Sequence, residues 1–284
     1  VHPILFRFGP LTIYSYGACV AAAFLAAIVT AAARARRCGW GADLVYDVSI
    51  PILVGALAGS RLLYVAENPS EFIAAPWEAF MLWRGGLSYY GGLVGAILAA
   101  VIFLRVRRIS VAECFDILTP SVALGHAIGR VGCFLNGCCF GAPCALPLAV
   151  VFPPGSVAHS FYCGEAGAIP QGAVWTPPLH PVQVYESLIE LGIFLALAAY
   201  FPRRKARGQI FWMYILMYGI ARFALECLRA DNPPVMVVGG RALSFPQVMS
   251  LAAAVLSLVV LLWMGARTAP AAGSMKARRA RPST

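Results

Sequence analysis

Four segments of the sequence gather residue types that could do chemistry. The densest is His126-Ala-Ile-Gly129-Arg130-Val-Gly132-Cys133-Phe-Leu-Asn136-Gly137-Cys138-Cys139-Phe-Gly141. It joins an imidazole, a guanidinium, an amide and three thiols, and its glycines allow irregular chain and close backbone approach. At membrane depth such backbone is tolerated only where protein or a water-filled cavity satisfies its polar groups. Arg130 and Asn136 are therefore expected to converge in a cleft that takes a polar head group. A second set, Tyr218, Arg222, Glu226 and Arg229, has spacings of four, four and three, which put all of them on one helix face. There Glu226 can pair with either arginine and leave the other for a ligand; purely structural pairing would give the same spacing. The third segment, His180-Pro181-Val-Gln183-Val-Tyr185-Glu186, has proline where the first turn of a helix tolerates it. Gln183, Glu186 and Glu190 follow at helical spacing and face the bundle interior, and His180 reads as a cap or structural residue with a base as the alternative. The fourth, Gly85-Gly86-Leu-Ser88-Tyr89-Tyr90-Gly91-Gly92, flanks a hydroxyl and two phenols with paired glycines, which also serve helix packing.

The elements that must position these groups are membrane helices. The 284 residues are 60% hydrophobic and only 12% charged, with mean hydropathy +0.76. A soluble chain carries about 25% charged residues, so this one lacks the polar groups to cover a folded surface in water. A spanning helix needs about 20 mostly apolar residues. Seven runs are expected to qualify: 11–33, 44–66, 86–104, 114–129, 182–201, 208–228 and 243–264. The fold class is an all-α integral membrane protein. Residues 1–266 form one polytopic domain with a Cys-, Gly- and Pro-rich loop at 132–181, and 267–284 are a basic, disordered tail. The first run is too long for a signal peptide's apolar region and is followed by Arg34, Arg36 and Arg37 instead of a cleavage site.

The net charge of +10 would suggest nucleic acid in a soluble protein, but here it falls into short clusters between apolar runs. With the N-terminus outside, the segments 34–43, 105–113, 202–207 and 265 onward are cytoplasmic and hold 15 of the 22 Lys and Arg. The other seven are all arginine: Arg7, Arg61, Arg84, Arg130, Arg222, Arg229 and Arg241. Arginine binds phosphate through two parallel hydrogen bonds, so a set of them placed against the topological bias points to an anionic lipid head group. Snorkelling or pairing with a helix carboxylate is the alternative for any one of them.

Taken in order, Tyr16-Gly17, Ser60-Arg61 with Tyr64, GGLSYYGGLVG, GRVGCFLNGCCFG, HPVQVYE and YGIARFALECLR resemble the prolipoprotein diacylglyceryl transferase family. The resemblance covers most of the chain. It implies a bacterial inner-membrane enzyme that moves diacylglyceryl from phosphatidylglycerol to the lipobox cysteine of a prolipoprotein, forming a thioether and releasing glycerol phosphate. No metal or diffusible cofactor is implied. Arg130 matches the family's phosphatidylglycerol-binding arginine and Arg222 its second important arginine. Tyr16, Asn136, Gly141, Tyr218 and Glu226 fall on matching motif positions. The candidate catalytic set is His126, Tyr90, Tyr16, Asn136 and Glu226. The candidate substrate-binding set is Arg130, Arg222, Arg61, Gly141, Tyr218, Arg229, Gln183 and Glu186.

The sequence departs from the family pattern at three places. Tyr90 stands where better-known members have a histidine discussed as a base, Cys133 where they have asparagine, and Cys138 where they have glutamate. Tyrosine titrates near pH 10 and is a poor base, so His126, one turn before Arg130, is the candidate replacement. Cys133, Cys138, Cys139, Cys144 and Cys163 fall on or near the expected outer side, where disulfides persist. Disulfides pinning the loop are the leading expectation for them, and C-x4-C-C-x4-C is not a standard zinc pattern. Rival functions are a transfer-inactive lipid-binding relative, a membrane thiol–disulfide oxidoreductase and a transporter.

Overall fold

The computed structural model describes all residues except 1, 10, 74, 165–168, 171–173, 239–240 and 269–284. The expected tail from 267 therefore lies almost wholly outside the described residues, as do the side chains of Arg84 and Arg241. The chain is mostly helical, in the order β1 (Ile4–Phe8), β2 (Leu11–Tyr14), α1 (Ser15–Arg37), α2 (Asp43–Glu67), α3 (Pro69–Ile73), α4 (Tyr89–Val106), α5 (Val111–Asn136), α6 (Val157–Cys163), α7 (Val182–Tyr200), α8 (Gln209–Glu226), β3 (Pro234–Val238), β4 (Arg241–Ser244) and α9 (Phe245–Thr268). Among the described residues six helices are long and apolar enough to cross a membrane: α1, α2, α4, α5, α7 and α9. Only 11–44% of each span's most apolar stretch is buried inside the protein. So much outward apolar surface suits lipid and would drive aggregation in water. The sixth expected span, 208–228, folds as α8, an 18-residue helix carrying Arg222 and Glu226, and is not among these.

The fourth expected span, 114–129, stops short of the observed helix. Helix α5 runs on to Asn136 through Gly129 and Gly132. Gly132 is a packing point: a Cβ there would stand 2.8 Å from Cys19 Cβ on α1. The irregularity begins only at Gly137, with φ +73.

Two compact units divide the chain, Ile28–Leu118 and Val1–Ala27 with Thr119–Thr284. In the first, α2 and α4 pack through facing glycines. A Cβ on Gly55 would lie 2.5 Å from both Gly95 O and Ala99 Cβ, and one on Gly59 would lie 2.9 Å from Gly95 Cα. Small residues are what let membrane helices approach this closely. Below this contact Val48, Ala100, Leu104 and Cys114 form a buried cluster. α1 and α4 both end in Schellman motifs, the first at Gly39 and the second at Arg108, each in the left-handed region.

In the second unit each of two antiparallel hairpins leads directly into a long helix, β1–β2 into α1 and β3–β4 into α9. Neither hairpin was anticipated from helical periodicity. α8 lies between α7 and α9, packing against both. The loop after α5 has its own core of Phe140, Phe152, Ala158, Tyr162 and Leu179. Bridges from Leu179 to Pro143 and Val150 tie it down without disulfides, and all nine cysteines carry thiols. The expected disulfide pinning is thus replaced by a small apolar core and backbone pairing.

Candidate active site

The site is built in the second unit, and α7 supplies its floor. Val182, Gln183, Glu186, Glu190, Ile193 and Leu197 are the buried residues of that helix, a stripe at three- and four-residue spacing. The polar half of this stripe faces α5. Ser187 Oγ donates to Ala127 O at 2.8 Å, fixing the two helices. Across this contact Glu190 Oε1 lies 2.9 Å from His126 Nδ1, and Arg130 Nε donates to His126 Nε2 at 3.2 Å. A guanidinium can only donate, so Nε2 carries the lone pair and Nδ1 the proton that bonds Glu190. His126 is thus a neutral imidazole whose lone pair faces Arg130. Arg130 also pairs with Glu186, Nη2 to Oε1 at 3.0 Å, and this carboxylate lies 3.7 Å from His126 Nε2. Tyr218 of α8 meets the imidazole edge-on at 5.2 Å and stacks on Tyr214 at 5.8 Å.

One turn further along α8, Arg222 Nη2 pairs with Glu226 Oε2 at 2.7 Å. The other Glu226 oxygen accepts from Asn232 Nδ2 at 2.6 Å and Ser244 Oγ at 2.8 Å. Arg229 Nε stands 3.8 Å from Glu226 Oε2, but its strong partner is Asp231, which takes two hydrogen bonds at 2.8 and 2.6 Å. Burial works against the charge on Arg229, yet the hydrogen-bonded Asp231 carboxylate and its field outweigh it and raise its pKa. The structure therefore gives each arginine its own acidic anchor: Glu186 for Arg130, Glu226 for Arg222, Asp231 for Arg229. Arg222 Nη1 is different, a buried donor with no hydrogen-bond partner among the described residues; Gln183 Oε1 and Glu190 Oε2 are buried acceptors in the same condition. Buried polar atoms are rarely left this way without a ligand or water to meet them.

Gly141 joins the loop to both helices. Its N–H donates to His180 O at 3.2 Å and it bridges Arg229. A Cβ on it would strike His180 O and Cβ at 2.6 Å, so glycine is required by space here. Gln183 Nε2 donates to Cys138 O at 2.7 Å. Asn136 is the last residue of α5, and Tyr16, in the first turn of α1, is exposed. Past Asn136, a Schellman motif closes the helix: Cys138 N donates to Cys133 O and Gly137 N to Phe134 O, both at 3.2 Å. That motif sets the side chains of the residues here filled by Cys133 and Cys138 against each other. Cys139 follows with φ +57, a left-handed conformation unusual for a side-chain-bearing residue. The three Sγ atoms lie within 4.8 Å of one another, and Arg130 Nη1 lies 4.0 Å from Cys133 Sγ. Hydrogen bonds from the Cys133 and Cys138 thiols, with the fields of Arg229 and Arg130, lower the Cys139 pKa against the opposing effect of burial.

Two of the expected site residues belong to the first unit. Arg61 is buried and its guanidinium is occupied by backbone: Nε donates to Ala79 O at 2.8 Å, Nη1 to Gly85 O and Gly86 O at 2.7 and 2.9 Å, and Nη2 to Glu78 O at 2.6 Å. It lies over the rings of Tyr64 and Phe72. This is a clasp for the segment before α4, not an open phosphate fork. Tyr90, in the first turn of α4, is exposed and meets Tyr89 edge-on at 5.5 Å.

The sequence profile of prolipoprotein diacylglyceryl transferase matches residues 3–263, nearly the whole described chain. The chain belongs to the prolipoprotein diacylglyceryl transferase family. Relatives carrying the name phosphatidylglycerol–prolipoprotein diacylglyceryl transferase include one from Clostridium tetani, 31% identical across 81% of this chain and 86% of its own. One from a Nostoc species is 32% identical across 94% and 91%, and one from Geobacter sulfurreducens is 34% identical across 87% and 91%. Within the family frame, the structure adds residues that the motifs did not single out. Asp231, Asn232 and Ser244 orient Arg229 and Glu226. They come from the turn after α8 and from β4, and nothing in helical periodicity marks them. Glu190, by contrast, stands at i+4 from Glu186, and that spacing alone pointed to the interior.

Proposed function

We infer that this protein transfers diacylglyceryl from phosphatidylglycerol to the lipobox cysteine of a prolipoprotein, releasing glycerol phosphate. The observation that carries the reading is the trio of largely buried arginines, each held by one carboxylate, with the buried Arg222 Nη1 left without a hydrogen-bond partner among the described residues. Such guanidinium groups are oriented and desolvated in advance, the condition under which they stabilise phosphate charge most strongly. Arg130 and Arg222 clamp the phosphate, and Glu186 and Glu226 keep them aimed. Arg229, Gln183, Gly141 and Tyr218 shape the cleft. As Arg130 turns to the phosphate it frees Nε2 of His126, which takes the proton of the incoming thiol while Glu190 steadies the resulting imidazolium. The thiolate then attacks the glyceryl carbon, and the carbon–oxygen bond to phosphate breaks. Tyr16 and Asn136 stand as contacts for lipid or peptide.

The setting of this reaction is a bacterial inner membrane, with the N-terminus outside, the C-terminus in the cytoplasm and the thiol entering from the outer leaflet. The distribution of Lys and Arg supports that orientation. The reading is tested with phosphatidylglycerol labelled in its head group. Purified protein should release glycerol phosphate only when a lipobox peptide with a free thiol is added, and Arg130→Ala should abolish the release. Release that ignores the peptide would mark a phospholipase and overturn the assignment.

A further inference from the structure

The three thiols at the end of α5 are not used by the mechanism above, and their placement is specific. The Schellman turn at Gly137 folds Cys138 back over Cys133, and the left-handed backbone at Cys139 turns a neighbouring side chain to the same point. A strained left-handed residue persists only where its surroundings hold it, and such residues cluster at functional positions. The result is three sulfurs within 4.8 Å of one another, Cys133 buried and the other two partly open. Sulfurs bound to one zinc ion at about 2.3 Å are at most about 4 Å apart, so a movement of less than about 1 Å per sulfur closes the set. Among the described residues the group offers three ligand atoms and no fourth. Structural zinc sites are closed by four protein ligands, whereas catalytic ones keep three and leave a position for water or substrate. Three thiolates with a divalent ion carry one net negative charge. Arg130, 4.0 Å from Cys133 Sγ, offsets that charge.

We propose that Cys133, Cys138 and Cys139 bind a thiophilic d10 cation, zinc, whose open position takes the cysteine thiol of the protein substrate. This rests on the transferase reading. The guanidinium assigned to the lipid phosphate lies against Cys133, so a thiol held on the ion stands beside the phosphate ester it must displace. Coordination deprotonates a thiol outright. The S–H proton passes to His126 Nε2, the thiolate stays on the ion, the carbon–sulfur bond forms, the carbon–oxygen bond breaks, and glycerol phosphate leaves with the electron pair. No oxidant or reductant takes part.

The test uses the full-length protein purified in detergent under reducing, chelator-free conditions. Metal analysis should find one zinc per chain, falling about tenfold in Cys133→Ser, Cys138→Ser and Cys139→Ser and unchanged in Cys163→Ser. Co2+ in place of zinc should show a sulfur-to-metal charge-transfer band that grows when a lipobox peptide is added and ignores its Cys→Ser counterpart. If a serine variant misfolds, the wild type decides: zinc should protect the partly open Cys138 and Cys139 from maleimide and a chelator should expose them. Zinc retained in the serine variants, or a disulfide among the three cysteines in active enzyme, would overturn the site. A cobalt band indifferent to the peptide, or transfer by a metal-free protein, would overturn the substrate role. Zinc bound at these thiols without any transfer keeps the site and strikes the transferase reading instead.

Discussion

Replacing Glu226 with glutamine removes a charge at the centre of the α8 network while keeping its shape. The carboxylate is 5% exposed and 2.7 Å from Arg222, and it accepts from Asn232 and Ser244. Breaking a buried pair by removing one partner costs about 3–5 kcal/mol, because the other charge is stranded. The amide oxygen of glutamine can still accept from Asn232 and Ser244, so the loss falls near the lower end, about 3 kcal/mol. At about 1.36 kcal/mol per decade, the transfer rate should drop by about 10²-fold if Arg222 loses its aim. Thermal unfolding in detergent separates aim from folding. Glu226→Gln and Arg222→Gln should each destabilise by about 3 kcal/mol, and the double variant by less than either, since it strands neither charge. Losses that add, or a Glu226→Gln protein with wild-type rate, would refute the argument that Glu226 holds Arg222 by charge.

Three further outcomes follow from the geometry. His126→Ala should lower the transfer rate by about 10²–10⁴-fold with phosphatidylglycerol binding retained, as loss of a general base does; unchanged transfer would eliminate this residue as the base. Arg61→Lys should lower the unfolding temperature without changing lipid affinity, because a single ammonium cannot replace four directed bonds to carbonyl oxygens, each net about 1 kcal/mol; lipid-binding assays and thermal scans decide between clasp and phosphate site. Gly95→Leu should destabilise the α2–α4 contact by about 3 kcal/mol, since a side chain there meets the backbone of Gly55 and Gly59; the measurement is again thermal unfolding, and a tolerated leucine would mean the helices are less tightly packed than described.

The membrane helices were legible because lipid demands long apolar runs, and the order of motifs named the family. The stripe Gln183, Glu186 and Glu190 was legible from spacing alone. Other parts depend on what the chain does between elements. Gly132 looks the same in sequence whether it breaks α5 or lets α1 approach, and only packing chose the second. Arg61 reads as a phosphate ligand until the carbonyls of residues 78–86 are seen around it. The hairpins are too short to show a period of two, so Ser244 could not be placed beside Glu226. The thiols converge through one turn and one left-handed residue, a conformation that the spacing C-x4-C-C does not announce.

The most direct test of the central claim is the product itself. Purified protein, phosphatidylglycerol and a lipobox peptide should yield peptide heavier by one diacylglyceryl group, joined through a thioether that survives hydroxylamine. A Cys→Ser peptide and the Arg130→Ala protein should give none. No mass gain in membranes where an authentic family member works, or a gain that hydroxylamine removes, would contradict the account.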